Sequence, residues 1–149
     1  MGYYMRFITA DERDVSLSTL EAALKETDAA YLIERDEESD REGVLTYKGE
    51  IYGQVEVNQP GDGIFDEEIG ELRESVGEAE GAAKSEVLGV LNRAQATVAV
   101  RVLDQGREPE ETLAKLDPLW QWLLANREGL LQAEGEGYYG ATGLILQAG

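Results

Sequence analysis

The side chains in this sequence that are able to do chemistry are mainly carboxylates. The 149 residues include 31 Asp and Glu, 13 Lys and Arg, and neither His nor Cys. Histidine is the commonest general base and transition-metal ligand, and cysteine supplies thiolate nucleophiles, disulfides and zinc sites. Any reaction would therefore have to use carboxylates, Lys, Tyr, Ser or Thr.

Two short patterns match the letters of known sites but not their surroundings. The segment 135–140 reads GEGYYG and matches the dinucleotide fingerprint GxGxxG, yet a short strand rather than a long helix is expected after it. The acidic run 38–43 fits the first half of a calcium loop, but the twelfth position is Gly49 instead of the bidentate Glu. No nucleophile elbow, phosphate loop or Ser-x-x-Lys sequence occurs. The sequence predicts no catalytic residue, no metal site and no cofactor, and it favours a non-enzymatic protein over an enzyme.

The charge is strongly negative and unevenly distributed. The net charge is −18, and residues 1–90 hold 23 acidic and 8 basic residues while residues 91–149 hold 8 and 5. A negative field of this size disfavours direct contact with nucleic acid phosphates and with anionic membrane lipids. We therefore expect a protein partner that is basic. The alternative is that the charge only keeps the protein soluble and monomeric.

Two stretches concentrate the carboxylates that would face such a partner. One is a charged loop after the second predicted strand, and the other is the outer side of a predicted helix. The candidate partner-binding residues are Asp36, Glu37, Glu38, Asp40 and Glu42 in the loop, and Glu67, Glu68, Glu71 and Glu74 in the helix. The loop has no apolar anchor, so we expect it to be exposed.

Alternation and helical spacing define the elements of the first half of the chain. Strands are predicted over 3–9, 31–33, 44–47 and 51–57. The first has apolar bulk on both faces, which is typical of the interior of a sheet, and the last two flank a Lys48-Gly49 turn. Ser18 and Glu21 form the pattern of a capping box, which predicts the start of a helix.

The remaining elements are mostly helical. Helices are predicted over 65–76, 83–94, 110–116 and 118–126, and strands over 97–103, 130–133 and 143–147. Gly77 and Gly81 separate the helices predicted over 65–76 and 83–94, since glycine costs about 1 kcal/mol in a helix interior. Pro118 fits a first helical turn, so the last two helices are expected to be a kinked pair. The glycine-rich segment 135–142 is expected to connect the last two strands.

This order of elements predicts one α+β domain over residues 1–149. Helices are expected to pack on one face of a mixed, mostly antiparallel sheet. The first two-thirds resembles a ferredoxin-like β-α-β-β-α-β unit with an inserted strand, to which a helix and a hairpin are added at the C-terminal end. Element order of this kind does not fix a function.

The helix predicted over 118–126 is apolar nearly all round. Trp120 and Trp122 lie in it among three leucines, which is more apolar side chains than a single buried stripe accommodates. Tryptophan is enriched at interface hot spots, so we predict an aromatic interface at these two residues. A homodimer through this helix would leave the acidic residues free for a basic partner. The alternative places both tryptophans in the core.

The sequence thus predicts a non-enzymatic acidic protein-binding module that acts on a basic partner, such as an inhibitor, an immunity-type protein or a regulatory protein. The alternative is a carboxylate-based enzyme or a domain that binds a small molecule. The sequence has no signal-peptide pattern and no apolar run of membrane-spanning length. The expected location is therefore the cytoplasm, with no contact with a membrane.

Overall fold

The computed structural model describes residues 3–148 as an eight-stranded sheet with four helices. The strands are β1 (Tyr3–Thr9), β2 (Tyr31–Arg35), β3 (Glu42–Tyr47), β4 (Glu50–Asn58), β5 (Ala96–Val102), β6 (Gly129–Ala133), β7 (Gly137–Gly140) and β8 (Gly143–Gln147). The helices are α1 (Leu17–Thr27), α2 (Gly63–Glu78), α3 (Lys84–Asn92) and α4 (Pro109–Asn126). The predicted α+β class is confirmed. Within these residues, none of the helices combines the length and apolar character needed to cross a bilayer.

Strands β1 and β5 form the centre of the sheet. The strand order is β2-β3-β4-β5-β1-β6-β7-β8, and each pairing is antiparallel. In β1, Phe7 packs into the core on one face and Ile8 into the core on the other, and both are fully buried. The interior strand predicted over 3–9 is confirmed. The predicted mixed sheet is wrong, because the described sheet is antiparallel throughout.

Helices cover the sheet from both sides. On the α1/α4 face, α1 and α4 enclose a core that includes Leu20, Val100 and Leu119. On the α2/α3 face, α2 and α3 pack over β1, β6, β7 and β8 around Ile69 and Tyr138. The prediction of helices on one face is wrong, and the ferredoxin-like order is not confirmed. An amphipathic stripe shows that a helix buries one side, but it does not say which face of the sheet that side meets.

The hairpin of β3 and β4 forms at the predicted turn. Lys48 and Gly49 have φ angles of 53° and 82°, and a type I′ turn requires such left-handed values at both central positions. In β4, Val55 is buried on the α1/α4 face while Gln54 is exposed on the other face. The strand therefore has the solvated face that its alternation predicts.

Helix α1 begins earlier than the capping-box pattern predicts. Ser16 is the N-cap, and its side chain accepts a hydrogen bond from the Thr19 N–H. Glu21 instead accepts a hydrogen bond of 2.8 Å from the backbone N–H of Ile33, which links α1 to β2. The capping box of Ser18 and Glu21 is wrong because a second serine two residues earlier takes the cap position.

Helix α4 runs without a break from Pro109 to Asn126, so the predicted kinked pair is one helix. Pro118 lies inside it and lacks the N–H that would donate to the preceding turn. Leu116, Leu119 and Leu123 are fully buried and keep helical spacing on both sides of the proline. Packing of this stripe on the sheet offsets the missing hydrogen bond.

The glycine-rich segment 135–142 contains a strand that composition does not predict. β7 pairs with β6 and β8, so the C-terminal part is a three-stranded meander instead of two joined strands. Gly137 has a φ of 142°, and a Cβ atom there would clash with the carbonyl oxygen of Leu146. Glycine is the residue that permits this approach of two backbones. The letters GxGxxG therefore lie in a turn and a strand with no helix after them.

Candidate functional site

Half of the α2/α3 face has no helix over it in the part of the chain that the structure describes. The two helices on this side pack over β1 and β6 to β8, and β2 to β5 contribute no residue to that core. Of these four strands, the ends of β4 and β5 at Asn58 and Thr97 are buried on this side, and the rest is uncovered. We call the uncovered surface the open face. Its residues are Tyr4 of β1, Glu34 of β2, Glu42 and Val44 of β3, Gln54 and Glu56 of β4, and Ala99 and Arg101 of β5.

The register of the strands places these side chains in two rows across the sheet. One row runs Glu34, Val44, Gln54, Arg101 and Tyr4. The next row runs Glu42, Glu56, Ala99, Arg6 and Gln132. Apart from Val44 and Ala99, these alternate positions hold polar or charged residues, on strands whose other side is apolar and buried.

A cavity of about 390 Å³ lies over the open face. Val44 and Ala99 contribute short apolar side chains to its lining, and the charged residues that line it are Glu34, Arg35, Asp36, Glu42, Glu56 and Arg101. A cavity of this size is large enough for a side chain or a small molecule. Its carboxylates come from three neighbouring strands and from the turn that follows β2.

Two of the carboxylates face each other directly. Glu42 and Glu56 are register partners in β3 and β4, and like charges at such positions destabilise a sheet. Partial burial raises the pKa of Glu56, and the charges of Glu42, Glu68 and Asp62 raise it further. The Asn58 amide, with its nitrogen turned toward them, donates to Glu56 Oε1 at 3.0 Å and to Asp62 Oδ2 at 3.3 Å. Neither Glu42 nor Glu56 has an ion pair with any residue from 3 to 148.

An ion pair between β1 and α2 closes one side of the open face. Arg6 Nε lies 2.6 Å from Glu68 Oε2, and the two side chains are 17% and 18% exposed. Arg6 also donates to Gln132 Oε1 at 3.1 Å, and its guanidinium lies 5.4 Å from the centre of the Tyr4 ring. Removing one partner of such a pair would leave a largely buried charge unpaired, so its role is structural.

Comparison with protein families, curated proteins and solved structures found no match to this chain. Function is therefore inferred from the geometry and chemistry of the site.

The open face brings together only part of the predicted partner-binding set. Glu42 lies on it, Asp36 lines its cavity and Glu68 forms its wall. The others point to solvent: Glu37, Glu38 and Asp40 in the turn between β2 and β3, and Glu67, Glu71 and Glu74 on the outer side of α2. The exposure predicted for the charged loop is confirmed.

Sequence reasoning missed several residues of the open face. Glu34 and Glu56 supply carboxylates, and Tyr4 and Arg101 border them. The available signal was a polar residue at every second position of strands that are otherwise apolar, as in the pair Gln54 and Glu56. Such positions on neighbouring strands fall on one surface once the strands are paired.

The carboxylates do not form a metal centre within the described residues. Among residues 3–148, no three Asp or Glu side chains are grouped closely enough to hold an ion. The calcium-like run 38–43 lies in the turn between β2 and β3 and in the start of β3, with strands rather than helices on its flanks.

The two tryptophans of α4 have different surroundings. Trp120 is 2% exposed and packs in the core of the α1/α4 face. Trp122 is partly exposed, and the Arg127 guanidinium lies 4.8 Å from the centre of its ring. Of the two residues predicted for an aromatic interface, Trp122 is therefore the one that presents area to a partner.

Proposed function

We propose that this protein is a non-enzymatic binding module whose open face receives basic side chains of a protein partner. The observation that carries the proposal is the directly opposed pair Glu42 and Glu56, beside a cavity on an uncovered half of the sheet. An inhibitor, an immunity-type protein or a regulatory protein would use such a surface to occupy a basic site of its partner.

The electrostatics of the open face support a basic partner. In the free protein Glu42 and Glu56 repel each other, and this repulsion contributes to the raised pKa of Glu56. A guanidinium or ammonium group placed between them replaces the repulsion with charge-assisted hydrogen bonds. The net charge of −18 would also steer a basic partner toward the protein, which raises the association rate at low salt.

The shape of the cavity suits a long basic side chain. Val44 and Ala99 present apolar surface against which the methylene groups of Lys or Arg pack while the charged end stays at the carboxylates. Arg101 is exposed at the β5 side and has no ion pair with residues 3–148. Its charge directs an incoming cation toward the β2 and β3 side of the cavity.

The proposal is tested with a fluorescently labelled oligoarginine peptide, whose binding is followed by fluorescence anisotropy. The test variant is Glu42→Gln/Glu56→Gln, which removes the opposed charges with little change in shape. The matched control is Glu26→Gln/Glu110→Gln, which removes two exposed carboxylates from α1 and α4 on the other side of the sheet. Both variants have the same net charge.

We expect the test variant to bind the peptide about tenfold more weakly than the parent protein, because two charge-assisted contacts are lost. The control should bind within about twofold of the parent. Raising the salt concentration should weaken binding to the parent most, since the Debye length shortens. Equal losses in both variants would mean that the peptide senses only net charge, and the open face would not be the binding site.

A carboxylate-based enzyme is the second candidate, favoured by the raised pKa of Glu56 beside Glu42. Acid–base catalysis by paired carboxylates requires one of them to keep its proton at the working pH. A binding site for cations requires both to be ionised there. Carboxyl titration by NMR separates the two, because a Glu56 that is still protonated near pH 6 would favour the enzyme.

We also propose a homodimer through α4, with Trp122 as its aromatic contact. The last 59 residues hold 8 acidic and 5 basic residues, so two copies repel each other less here than near the first half of the chain. Sedimentation should give a dimer for the parent protein and a monomer for Trp122→Glu. A monomeric parent protein, or an unchanged dimer in the variant, would contradict this interface.

A further inference from the structure

A second cavity lies on the opposite face of the sheet from the open face. It has a volume of about 400 Å³ and runs between α4 and the strands β1, β6 and β7. We call it the α4 groove. Its apolar and aromatic lining comprises Tyr3, Met5, Leu113, Trp120, Leu124, Leu131, Ala133 and Tyr139. Apolar clefts of this size with few polar groups are the usual sites of small molecules.

One end of the α4 groove carries a fixed negative charge. Glu136 accepts hydrogen bonds from the hydroxyl groups of Tyr3 and Tyr139, the latter at 2.7 Å. These two hydrogen bonds lower the pKa of Glu136, so its carboxyl is ionised at neutral pH. Asp117 adds a second carboxyl to the lining, and neither Lys nor Arg is among the described lining residues. The groove is therefore complementary to a cation.

Aromatic side chains from α4, β1 and β7 form walls of the groove. Trp120 is 2% exposed, and its indole Nε1 is buried without a hydrogen-bond partner among residues 3–148, so this atom is closed to a ligand in the groove. Tyr3 and Tyr139 are partly exposed there, and aromatic rings attract a cation over their faces.

We propose that the α4 groove binds a small amphipathic cation: an apolar ring or chain that packs in the groove, with a protonated amine for Glu136. The apolar body packs against side chains such as Leu124 and Leu131. This site is on the other face of the sheet from Glu42 and Glu56, and the two sites share no lining residue.

The experiment uses three probes that share a phenyl ring. Phenylalaninamide carries an amine and a carbonyl group, phenethylamine lacks the carbonyl group, and 3-phenylpropanamide lacks the amine. Binding to the Trp122→Phe protein at pH 6, where the amines are protonated, is measured by calorimetry and by fluorescence. In this variant the tryptophan signal comes from Trp120 alone.

We expect phenylalaninamide and phenethylamine to bind with similar affinity, because both present an amine to Glu136. The amide 3-phenylpropanamide should bind about tenfold more weakly than either, because it loses a charge-assisted contact. Glu136→Gln should abolish the preference for the amines. The control Glu134→Gln removes the same charge two residues away, from a side chain outside the groove lining, and should keep the preference.

Three results would overturn the proposal. One is equal binding of the amine and amide probes. Another is a preference for the amines that survives in Glu136→Gln or disappears equally in Glu134→Gln. The third is no binding of any probe together with a dimer in sedimentation that Leu124→Glu dissociates, which would assign the groove to a second copy of the chain.

Discussion

The open face and the α4 groove occupy opposite faces of one sheet and differ in nearly every property. The open face has opposed carboxylates at Glu42 and Glu56 and a lining with alternating charges. The α4 groove has aromatic walls and a carboxylate, Glu136, that accepts hydrogen bonds from two tyrosine hydroxyls. On the open face the negative charges of Glu42 and Glu56 oppose each other, whereas in the α4 groove two tyrosine hydroxyl donors stabilise the negative charge of Glu136.

The difference follows from where the helices pack. α2 and α3 cover one end of the sheet on one face, while α1 and α4 cover the other face around the centre. The open face is left without a helix and takes its chemistry from the strands beneath it, whereas the α4 groove lies between a helix and the strands and is lined by both. The same antiparallel scaffold thus carries two surfaces of different chemistry, and we have proposed a cationic ligand for each.

The largest difference in stability is expected between substitutions at two neighbouring residues of β5 whose side chains point to opposite faces of the sheet. Val100 is fully buried beneath α4, whereas Arg101 is exposed on the open face. Val100→Ala should lower the free energy of unfolding by about 1 to 3 kcal/mol, because it removes buried methyl groups and leaves a cavity. Arg101→Ala should change it by no more than about 0.5 kcal/mol. Chemical denaturation measures both, and similar losses would show that the open face is in fact packed.

A smaller loss of stability is expected when the charge of Glu136 is removed. Its pKa is lowered in the folded protein, so its contribution to stability is present above the ordinary pKa of a glutamate and is lost as the pH falls through the lowered value. Glu136→Gln should lower the free energy of unfolding by about 1 kcal/mol or less at pH 7, since the carboxyl is mostly exposed. The parent and the variant should converge in acid. A difference that does not depend on pH would contradict the hydrogen-bonded carboxylate.

The smallest effect is expected at Glu56, and its sign is reversed. The pKa of Glu56 is raised in the folded protein, so the folded state holds this proton more tightly and ionisation at neutral pH lowers stability. Glu56→Gln should therefore raise the free energy of unfolding by about 0.5 kcal/mol or less at low salt. The gain should shrink at high salt, where the repulsion from Glu42 is screened. A loss of stability at every salt concentration would contradict the repulsion between Glu42 and Glu56.

Local patterns predicted the central strands and the β3–β4 hairpin because their signals lie in a few consecutive residues. Alternation in β5 and the Lys48-Gly49 turn are of this kind. The continuity of helix α4 across Pro118 and the existence of strand β7 were missed because packing overrode the local signal. Pro118 is held inside a helix by buried neighbours, and Gly137 forms a strand because two backbones meet there.

The open face is harder to predict from a single sequence than the strands that form it. Glu42 and Glu56 are fourteen positions apart and become opposed only through the register of β3 and β4. Arg6 and Glu68 meet because α2 packs on the side of β1 that carries Arg6. The apolar stripe of α2 shows which side of the helix is buried, but not which face of the sheet it meets. Charge composition predicted a basic partner, but the side of the sheet and the residues that would meet it depend on tertiary packing.

Strand β1 links the two surfaces through its own backbone. Tyr3 and Met5 line the α4 groove, while Tyr4 and Arg6 reach the open face and its wall. Amide resonances of residues 3–6 would therefore shift when either surface is occupied, which makes four consecutive peptide groups a spectroscopic reporter for both ligands. The same alternation makes the strand intolerant of length changes. One residue inserted ahead of Phe7 would turn these four side chains to the opposite faces and alter both surfaces in a single genetic event.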